Sequence, residues 1–118
     1  MSEYRHLELL SSGPVSRVRI LAHRRAGAED ATELAREWNA VADQADCREL
    51  VVDCANIQFL SSEILSRLIL LQRRLKLKNA KLALAGLRAE AREIMSWTKL
   101  DRFFEIYADE DQEVAALA

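Results

Sequence analysis

From residue 15 onwards, the sequence alternates between short segments with a two-residue hydrophobic period and longer segments with a helical period. In the segment Val15 to Ala22, Val18 and Ile20 alternate with Arg17 and Arg19, as in a half-buried strand. Ala28 to Ala45 then carries a helical stripe of apolar residues at intervals of four, three and four, namely Leu34, Trp38, Val41 and Ala45. This alternation predicts an α/β domain with a largely parallel or mixed sheet and packed helices.

The rest of the chain continues the alternation. The short apolar run Leu50 to Val52 predicts a strand that is covered on both faces. Further helices are predicted at Ser61 to Lys78, Ala89 to Trp97 and Asp109 to Leu117, and further strands at Lys81 to Ala85 and Phe103 to Tyr107. Upstream, Leu7 to Leu10 and the turn residues Gly13-Pro14 predict a hairpin that enters the sheet. A chain of 118 residues has the size of one domain, residues 1–118.

Charge and hydropathy argue against two classes of partner. Seventeen basic and nineteen acidic residues give a formal net charge of −2, which offers no general attraction to nucleic acid or anionic lipid. No run approaches the ~18 apolar residues of a membrane span, and charged residues interrupt the N-terminal segment where an export signal would need an apolar run. We therefore expect a cytoplasmic protein with no nucleic-acid partner and no membrane insertion.

Residues that usually carry catalysis or bind metals are sparse. The three glycines lie far apart, so the sequence contains neither a phosphate-binding P-loop nor a GxGxxG turn. His6 and His23 are isolated, and the spacing of Cys47 and Cys54 matches neither a zinc site nor a disulfide framework. We predict reduced, structural cysteines, no catalytic residue, no metal and no cofactor.

Two adjacent serines open the most apolar helix of the chain. Ser61 in the N-cap position would stabilise this helix by ~1 kcal/mol, and Glu63 suits the positive end of the helix dipole. Free N–H groups at a helix N-terminus also accommodate a phosphate, so one of the two hydroxyls is a candidate phosphorylation site. The two roles are compatible, because one serine can cap the helix while the other, Ser61 or Ser62, reacts.

The predicted helix that begins at Ser61 has two different sides. Its buried stripe is predicted to consist of Ile64, Leu68, Leu71 and Leu75. At about 100° per residue, the opposite side carries Ser62, Ser66, Leu70, Arg73 and Leu77. Two leucines one heptad apart, on a side that should face water, suggest a ridge for docking a partner, with ordinary single exposed leucines as the alternative.

Charge is segregated in the second half of the chain. Residues 64–88 contain seven basic residues and no acid, whereas residues 105–118 contain five acids and no base. This segregation would steer an acidic partner or permit a weak head-to-tail homo-oligomer, and a solvated helix face is the alternative. The basic segment lacks the aromatic residues that stack on bases, which again disfavours nucleic acid.

Two stretches resemble the STAS family of anti-sigma factor antagonists. LVVDCANIQFLSSEIL is similar to the family pattern of a strand that ends in aspartate, followed by F-[ML]-D-S-[ST]-G-L. KLALAGLRAEAREIMSWTKLDRFFEIY is similar to the strand pattern KLxLxxL and the later TGLDxLFEIY. The resemblance covers roughly residues 15–117 and implies a single STAS-like domain with a mixed central sheet.

The resemblance also implies roles for individual residues. In the family, a partner kinase that is itself the anti-sigma factor phosphorylates the serine after F-x-D, and the unphosphorylated form binds this kinase. Ser62 falls on that serine, and Asp53 falls on the strand-end aspartate. Phe59 and Leu60 match the pattern, whereas the aspartate, the second serine or threonine and the glycine are replaced by Ser61, Glu63 and Ile64, respectively.

The implied function is a non-enzymatic regulatory module that binds a serine protein kinase, an anti-sigma factor or another signalling protein and is switched by phosphorylation. The phosphorylated residue would be Ser62, with Ser61 as the alternative. The expected partner-binding residues are Asp53, Ser61, Ser62, Glu63, Ser66, Leu70 and Arg73. Other family members lack the switch and act as constitutive adaptors in transporter or signalling assemblies, which is the alternative function.

Overall fold

The computed structural model describes residues 4–21, 28–57 and 60–107, which form a five-stranded sheet with packed helices. In chain order, the elements are β1 (Leu7–Ser11), β2 (Val15–Ile20), α1 (Ala28–Ala42), β3 (Glu49–Asp53), α2 (Ser62–Lys76), β4 (Lys81–Ala85), α3 (Ala89–Trp97), a 3-10 turn (Leu100–Arg102) and β5 (Glu105–Tyr107). The predicted α/β class and order of elements are confirmed over these residues. The predicted helix at Asp109 to Leu117 lies outside them.

The strands lie side by side in chain order, from β1 to β5. β1 is antiparallel to β2, as expected for a hairpin, whereas β2, β3, β4 and β5 are parallel to their neighbours. Each parallel connection runs through one of the three helices. Since such crossovers are right-handed and here always step in the same direction, α1, α2 and α3 pack on the same face of the sheet. The predicted mixed sheet is therefore confirmed.

The main core lies between this face of the sheet and the helices. Side chains alternate along β3, so Leu50 and Val52 join the core beside the fully buried Trp38. Val51 points the other way and forms a smaller apolar cluster with Ala83 and Ala85. Every residue of β3 is buried, which confirms the prediction of a strand covered on both faces.

The predicted first helix is too long at its C-terminal end. α1 ends at Ala42, and Ala45, which the stripe placed in the core, is exposed. A distant residue stabilises this earlier end: Lys78 Nζ donates to the carbonyl oxygens of Ala42 and Gln44, both at 2.7 Å. These bonds satisfy backbone carbonyls that a helix end leaves free.

Other boundaries also differ from the predictions: β1 ends at Ser11, β2 ends at Ile20, and β3 extends from Glu49 to Asp53. α2 extends from Ser62 to Lys76 rather than from Ser61 to Lys78, with Ser61 and Leu77 as its capping residues. The last strand begins at Glu105 rather than Phe103, because the chain first forms the 3-10 turn at Leu100–Arg102. A helical turn cannot pair with β4, so only three residues remain for β5.

Candidate functional site

The strand-end aspartate anchors the loop that leads to α2. Asp53 is the last residue of β3 and is only 6% exposed. Its Oδ1 accepts a hydrogen bond from the backbone N–H of Ala55 at 2.9 Å, and its Oδ2 accepts one from Arg19 Nε at 3.1 Å. Both oxygens are thus used inside the protein. The carboxylate of Asp53, which the resemblance placed among the partner-binding residues, is therefore buried and bonds to Ala55 and Arg19 within the protein.

The loop after β4 is fitted closely against this aspartate. Gly86 has a φ of +68°, and a Cβ at this position would lie 2.9 Å from Asp53 Oδ1 and 3.2 Å from the Cβ of Ala55. Both the backbone conformation and the space therefore require glycine. Arg88 Nε donates to the carbonyl oxygen of Ala55 at 3.0 Å, which ties the two loops together. Ala55, just after β3, is therefore held from two sides, by Asp53 and by Arg88.

The structure gives the two serines different roles. Ser61 has extended backbone angles (φ −69°, ψ 159°), and its Oγ accepts a hydrogen bond from the N–H of Ile64 at 3.2 Å. This is N-cap geometry and confirms the capping prediction. Ser62 is the first residue of α2 and is exposed, and its hydroxyl donates to Glu63 Oε2 at 3.4 Å. Of the two hydroxyls, only that of Ser62 is uninvolved in the cap.

The electrostatic surroundings of Ser62 combine two opposing effects. The N-terminus of α2 carries the positive end of the helix dipole, which attracts an anion. Glu63 is exposed beside Ser62 and repels one. The nearest basic residue of the helix in sequence, Arg67, donates through Nη2 to Thr32 Oγ1 at 2.9 Å and so bridges to α1. Within α2, the feature closest to Ser62 that attracts an anion is therefore the helix end rather than a basic side chain.

The two sides of α2 lie as their spacing predicts. Ile64, Leu68, Leu71 and Leu75 are all at most 4% exposed. Ser62, Ser66, Leu70, Arg73 and Leu77 are all exposed. The predicted surface residues from Ser62 to Arg73 therefore share one side of the helix with Glu63 at its start, whereas Leu60 is buried and Phe59 lies outside the described residues.

A buried polar residue on α2 escaped the sequence analysis. Gln72 is 8% exposed, and its Nε2 donates to the backbone carbonyl of Phe103 at 2.8 Å. Its position four residues after Leu68 and three before Leu75 places it on the buried stripe, and this spacing was the available signal. The bond links α2 to the segment that leads into β5.

Neither cysteine has the character of a nucleophile. Cys47 and Cys54 are both buried free thiols. Burial, together with the charge of Asp53, raises the pKa of the Cys54 thiol to about 12, so this thiol stays protonated at neutral pH. Within residues 4–21, 28–57 and 60–107, no three His, Cys, Asp or Glu residues are grouped to hold a metal ion. The described helices also include none that is long and apolar enough to cross a membrane.

Comparisons with known proteins converge on one family. The family model of the STAS domain matches residues 25–113. No curated protein sequence matches the chain significantly. Among solved structures, an anti-sigma-factor antagonist (STAS) domain protein from Planctomyces limnophilus superposes with a TM-score of 0.81 at 18% identity, covering 93% of this chain and 96% of that one.

Two further solved structures share the fold. An anti-sigma factor antagonist from Mycobacterium paratuberculosis gives a TM-score of 0.77 at 22% identity, covering 93% of this chain and 91% of its own. The Bacillus cell fate determinant SpoIIAA in its phosphorylated form gives a TM-score of 0.70 at 12% identity, covering 95% and 99%. The sheet and helices described above are thus those of the anti-sigma factor antagonists over nearly their whole length.

Proposed function

The chain belongs to the STAS domain family, and on this premise we propose that it is a non-enzymatic regulatory module that binds a serine kinase acting as an anti-sigma factor. Phosphorylation of Ser62 switches this binding off. The observation that supports the proposal is that the hydroxyls of the two serines make different contacts. Ser61 caps α2 through its hydroxyl, which leaves the exposed hydroxyl of Ser62 available to a kinase.

The fold should tolerate the modification. The cap bond from the N–H of Ile64 to Ser61 Oγ does not involve Ser62, so a phosphate on Ser62 leaves it in place. The helix dipole offers an anion at this end typically ~0.3–1 kcal/mol, which offsets repulsion from Glu63. We therefore expect phosphorylation to change the affinity for the partner and to leave the stability of the fold nearly unchanged.

A bound partner should tolerate the phosphate less well. A partner packed over Ser62, Ser66 and Leu70 would have to remove water from ~1.5–2 added negative charges. It would do so without hydrogen-bond donors positioned to replace that water. Glu63, exposed beside Ser62, increases the negative charge at the same spot. One structural relative, SpoIIAA, is known in a phosphorylated form, which supports testing the same modification here.

The first experiment is phosphopeptide mass spectrometry on the protein isolated from its own cells. We expect a phosphate on Ser62 and none on Ser61. The second is calorimetric titration of the purified native partner with Ser62→Asp, Ser62→Ala and the enzymatically phosphorylated protein. Ser62→Asp and the phosphorylated form should bind at least ~tenfold more weakly, or ~1.4 kcal/mol, whereas Ser62→Ala should bind like the wild type.

Ser61→Asp is the matched control in this titration, because it places the same charge one residue away at the cap. It should weaken binding less than Ser62→Asp does. Equal dissociation constants for the wild type, Ser62→Ala and the phosphorylated protein would contradict a switch at this position.

A constitutive adaptor is the second candidate function. It is favoured by Ile64, which stands where the family pattern has glycine and is buried as the first member of the core stripe. In an adaptor, the two serines would only stabilise the N-terminus of α2. Protein isolated from its own cells would then carry no phosphate at either serine, and the partner would bind Ser62→Asp and the wild type equally well.

A further inference from the structure

A groove of about 330 Å³ lies between α1 and α2, towards the C-terminal end of α2. Its apolar surface includes Leu70, which is 52% exposed, and Leu77, which is 89% exposed. These are the two most exposed leucines among the large apolar residues of the described chain. We call this feature the α1–α2 groove. Single exposed leucines are common, but two of them grouped in the lining of one groove indicate a surface that another molecule can cover.

The spacing of the two leucines matches a helical partner. They lie seven residues apart on α2, which is about 10.5 Å along the helix axis. An amphipathic helix presents apolar side chains at the same two-turn interval, so it can place one side chain against each leucine.

The charge of the groove is basic. Arg67, Arg73 and Arg74 line it, and no acidic residue does. Two of these arginines already have partners, since Arg67 bonds to Thr32 and Arg74 to Asp43. Arg73 makes no side-chain hydrogen bond or ion pair with the residues that the structure describes, and it lies between the two leucines in sequence. An incoming carboxylate beside an apolar stripe would therefore find a free guanidinium next to the leucines.

We propose that the α1–α2 groove docks an amphipathic helix of a partner protein that carries carboxylates beside its apolar stripe. Aromatic side chains for stacking on bases are not exposed in the groove, which makes nucleic acid a poor occupant. Only an apolar surface can cover the two exposed leucines, and a free anion does not provide one.

The C-terminal end of the groove, at Arg73 and Leu77, lies far from the proposed phosphorylation site, whereas Leu70 belongs both to the groove and to the surface that the proposed switch affects. The helical rise places Arg73 about 17 Å and Leu77 about 22 Å along α2 from Ser62. The Debye length at physiological salt is about 8 Å, so a phosphate at Ser62 is largely screened at Arg73 and Leu77. Docking at this end of the α1–α2 groove is therefore independent of phosphorylation, and it holds a partner in both states of the switch. This inference goes beyond the proposed function, which concerns the part of the helix from Ser62 to Leu70.

The test uses two synthetic 22-residue helical peptides that share one leucine stripe and differ in their flanking residues, glutamate in one and lysine in the other. Fluorescence anisotropy measures their binding to the purified full chain. We expect the glutamate peptide to bind saturably and the lysine peptide to bind at least tenfold more weakly. Leu77→Glu and Arg73→Glu should each weaken the glutamate peptide at least tenfold.

Matched controls come from α3. Arg92 is exposed, so Arg92→Glu repeats the change made at Arg73, and Trp97→Glu likewise replaces an exposed apolar residue, 78% exposed, with glutamate. Both changes lie away from the groove and should leave peptide binding unchanged. Urea unfolding midpoints of the groove and control variants that equal the midpoint of the wild type would show that all of these variants fold. Equal binding of both peptides, or binding that Leu77→Glu does not weaken, would overturn the proposal. Stronger binding of a single-stranded oligonucleotide than of the glutamate peptide would assign the arginines to nucleic acid and also overturn it.

The independence from the switch is tested with Ser62→Asp. Its affinity for the glutamate peptide should equal that of the wild type within twofold, and a tenfold loss would contradict phosphorylation-independent docking. Because these measurements need neither a kinase nor the native partner, failure of the groove proposal and failure of the Ser62 switch give different results.

Discussion

The two faces of α2 carry similar residues and have different roles. Leu68 and Leu71 on one face are at most 1% exposed, whereas Leu70 and Leu77 on the other are 52% and 89% exposed. The difference comes from the position of each face relative to the sheet. One face packs on β4 and the core, and the other faces solvent. Leucine on the first face contributes to the stability of the fold. On the second face, replacing a leucine should change the free energy of unfolding little, and its side chain is exposed to a partner.

The largest expected difference between the faces is for leucine truncation. Leu68→Ala removes a fully buried side chain and should lower the free energy of unfolding by ~2–5 kcal/mol through lost packing and a residual cavity. Leu70→Ala, at a half-exposed site, should cost under ~1 kcal/mol. Urea denaturation of both variants measures this, and equal losses would show that the two faces do not differ as described.

The next effect concerns the polar member of the buried face. Gln72→Ala removes the hydrogen bond from a buried side chain to the Phe103 carbonyl and should cost ~0.5–1.5 kcal/mol, the usual net contribution of one such bond. Its neighbour Arg73 is exposed, so Arg73→Ala should change stability by less than ~0.5 kcal/mol. If thermal and urea unfolding gave the same small loss for both, the bond to Phe103 would have no energetic importance.

A smaller difference is expected between the two serines at the start of the helix. Ser61→Ala removes the acceptor of the Ile64 N–H and should cost ~1 kcal/mol, whereas Ser62→Ala should be nearly neutral for stability. Unfolding midpoints measured by circular dichroism would separate them. A loss at Ser62 equal to that at Ser61 would mean that both hydroxyls support the helix, which would weaken the assignment of Ser62 to the surface.

The smallest effect lies at the exposed C-terminal part of α2. A hydrogen bond and ion pair with Arg74 hold the pKa of the Asp43 carboxyl below its usual value. The stabilisation is therefore present above the usual aspartate pKa of about 3.9 and is lost as the pH falls through the lowered value. Both side chains are about half exposed, so solvent screening limits the contribution to ~0.5 kcal/mol or less.

Asp43→Asn should show this small loss in urea denaturation at pH 7. The difference between variant and wild type should disappear at pH values well below the ordinary aspartate range. A difference that persisted in acid would point to a cause other than the charge on Asp43.

Much of the fold followed from local patterns in the sequence. The two-residue period of β2 and the helical stripe of α2 reflect which side of each element meets the core, and this is encoded in neighbouring residues. The cap at Ser61 was predictable for the same reason, because its bond to the N–H of Ile64 spans three residues. The STAS resemblance, carried by short motifs along the chain, agrees with the observed sheet.

Contacts between residues more than thirty positions apart were decided by the tertiary structure alone. Lys78 bonds to the Ala42 carbonyl at the end of α1, and the buried Gln72 bonds to the Phe103 carbonyl. Likewise, Asp53 faces Arg19 and the backbone rather than solvent. The α1–α2 groove exists only because two helices distant in sequence pack together. Hydrophobic periodicity reports which face of an element is buried, but it does not report which distant group a polar side chain meets there.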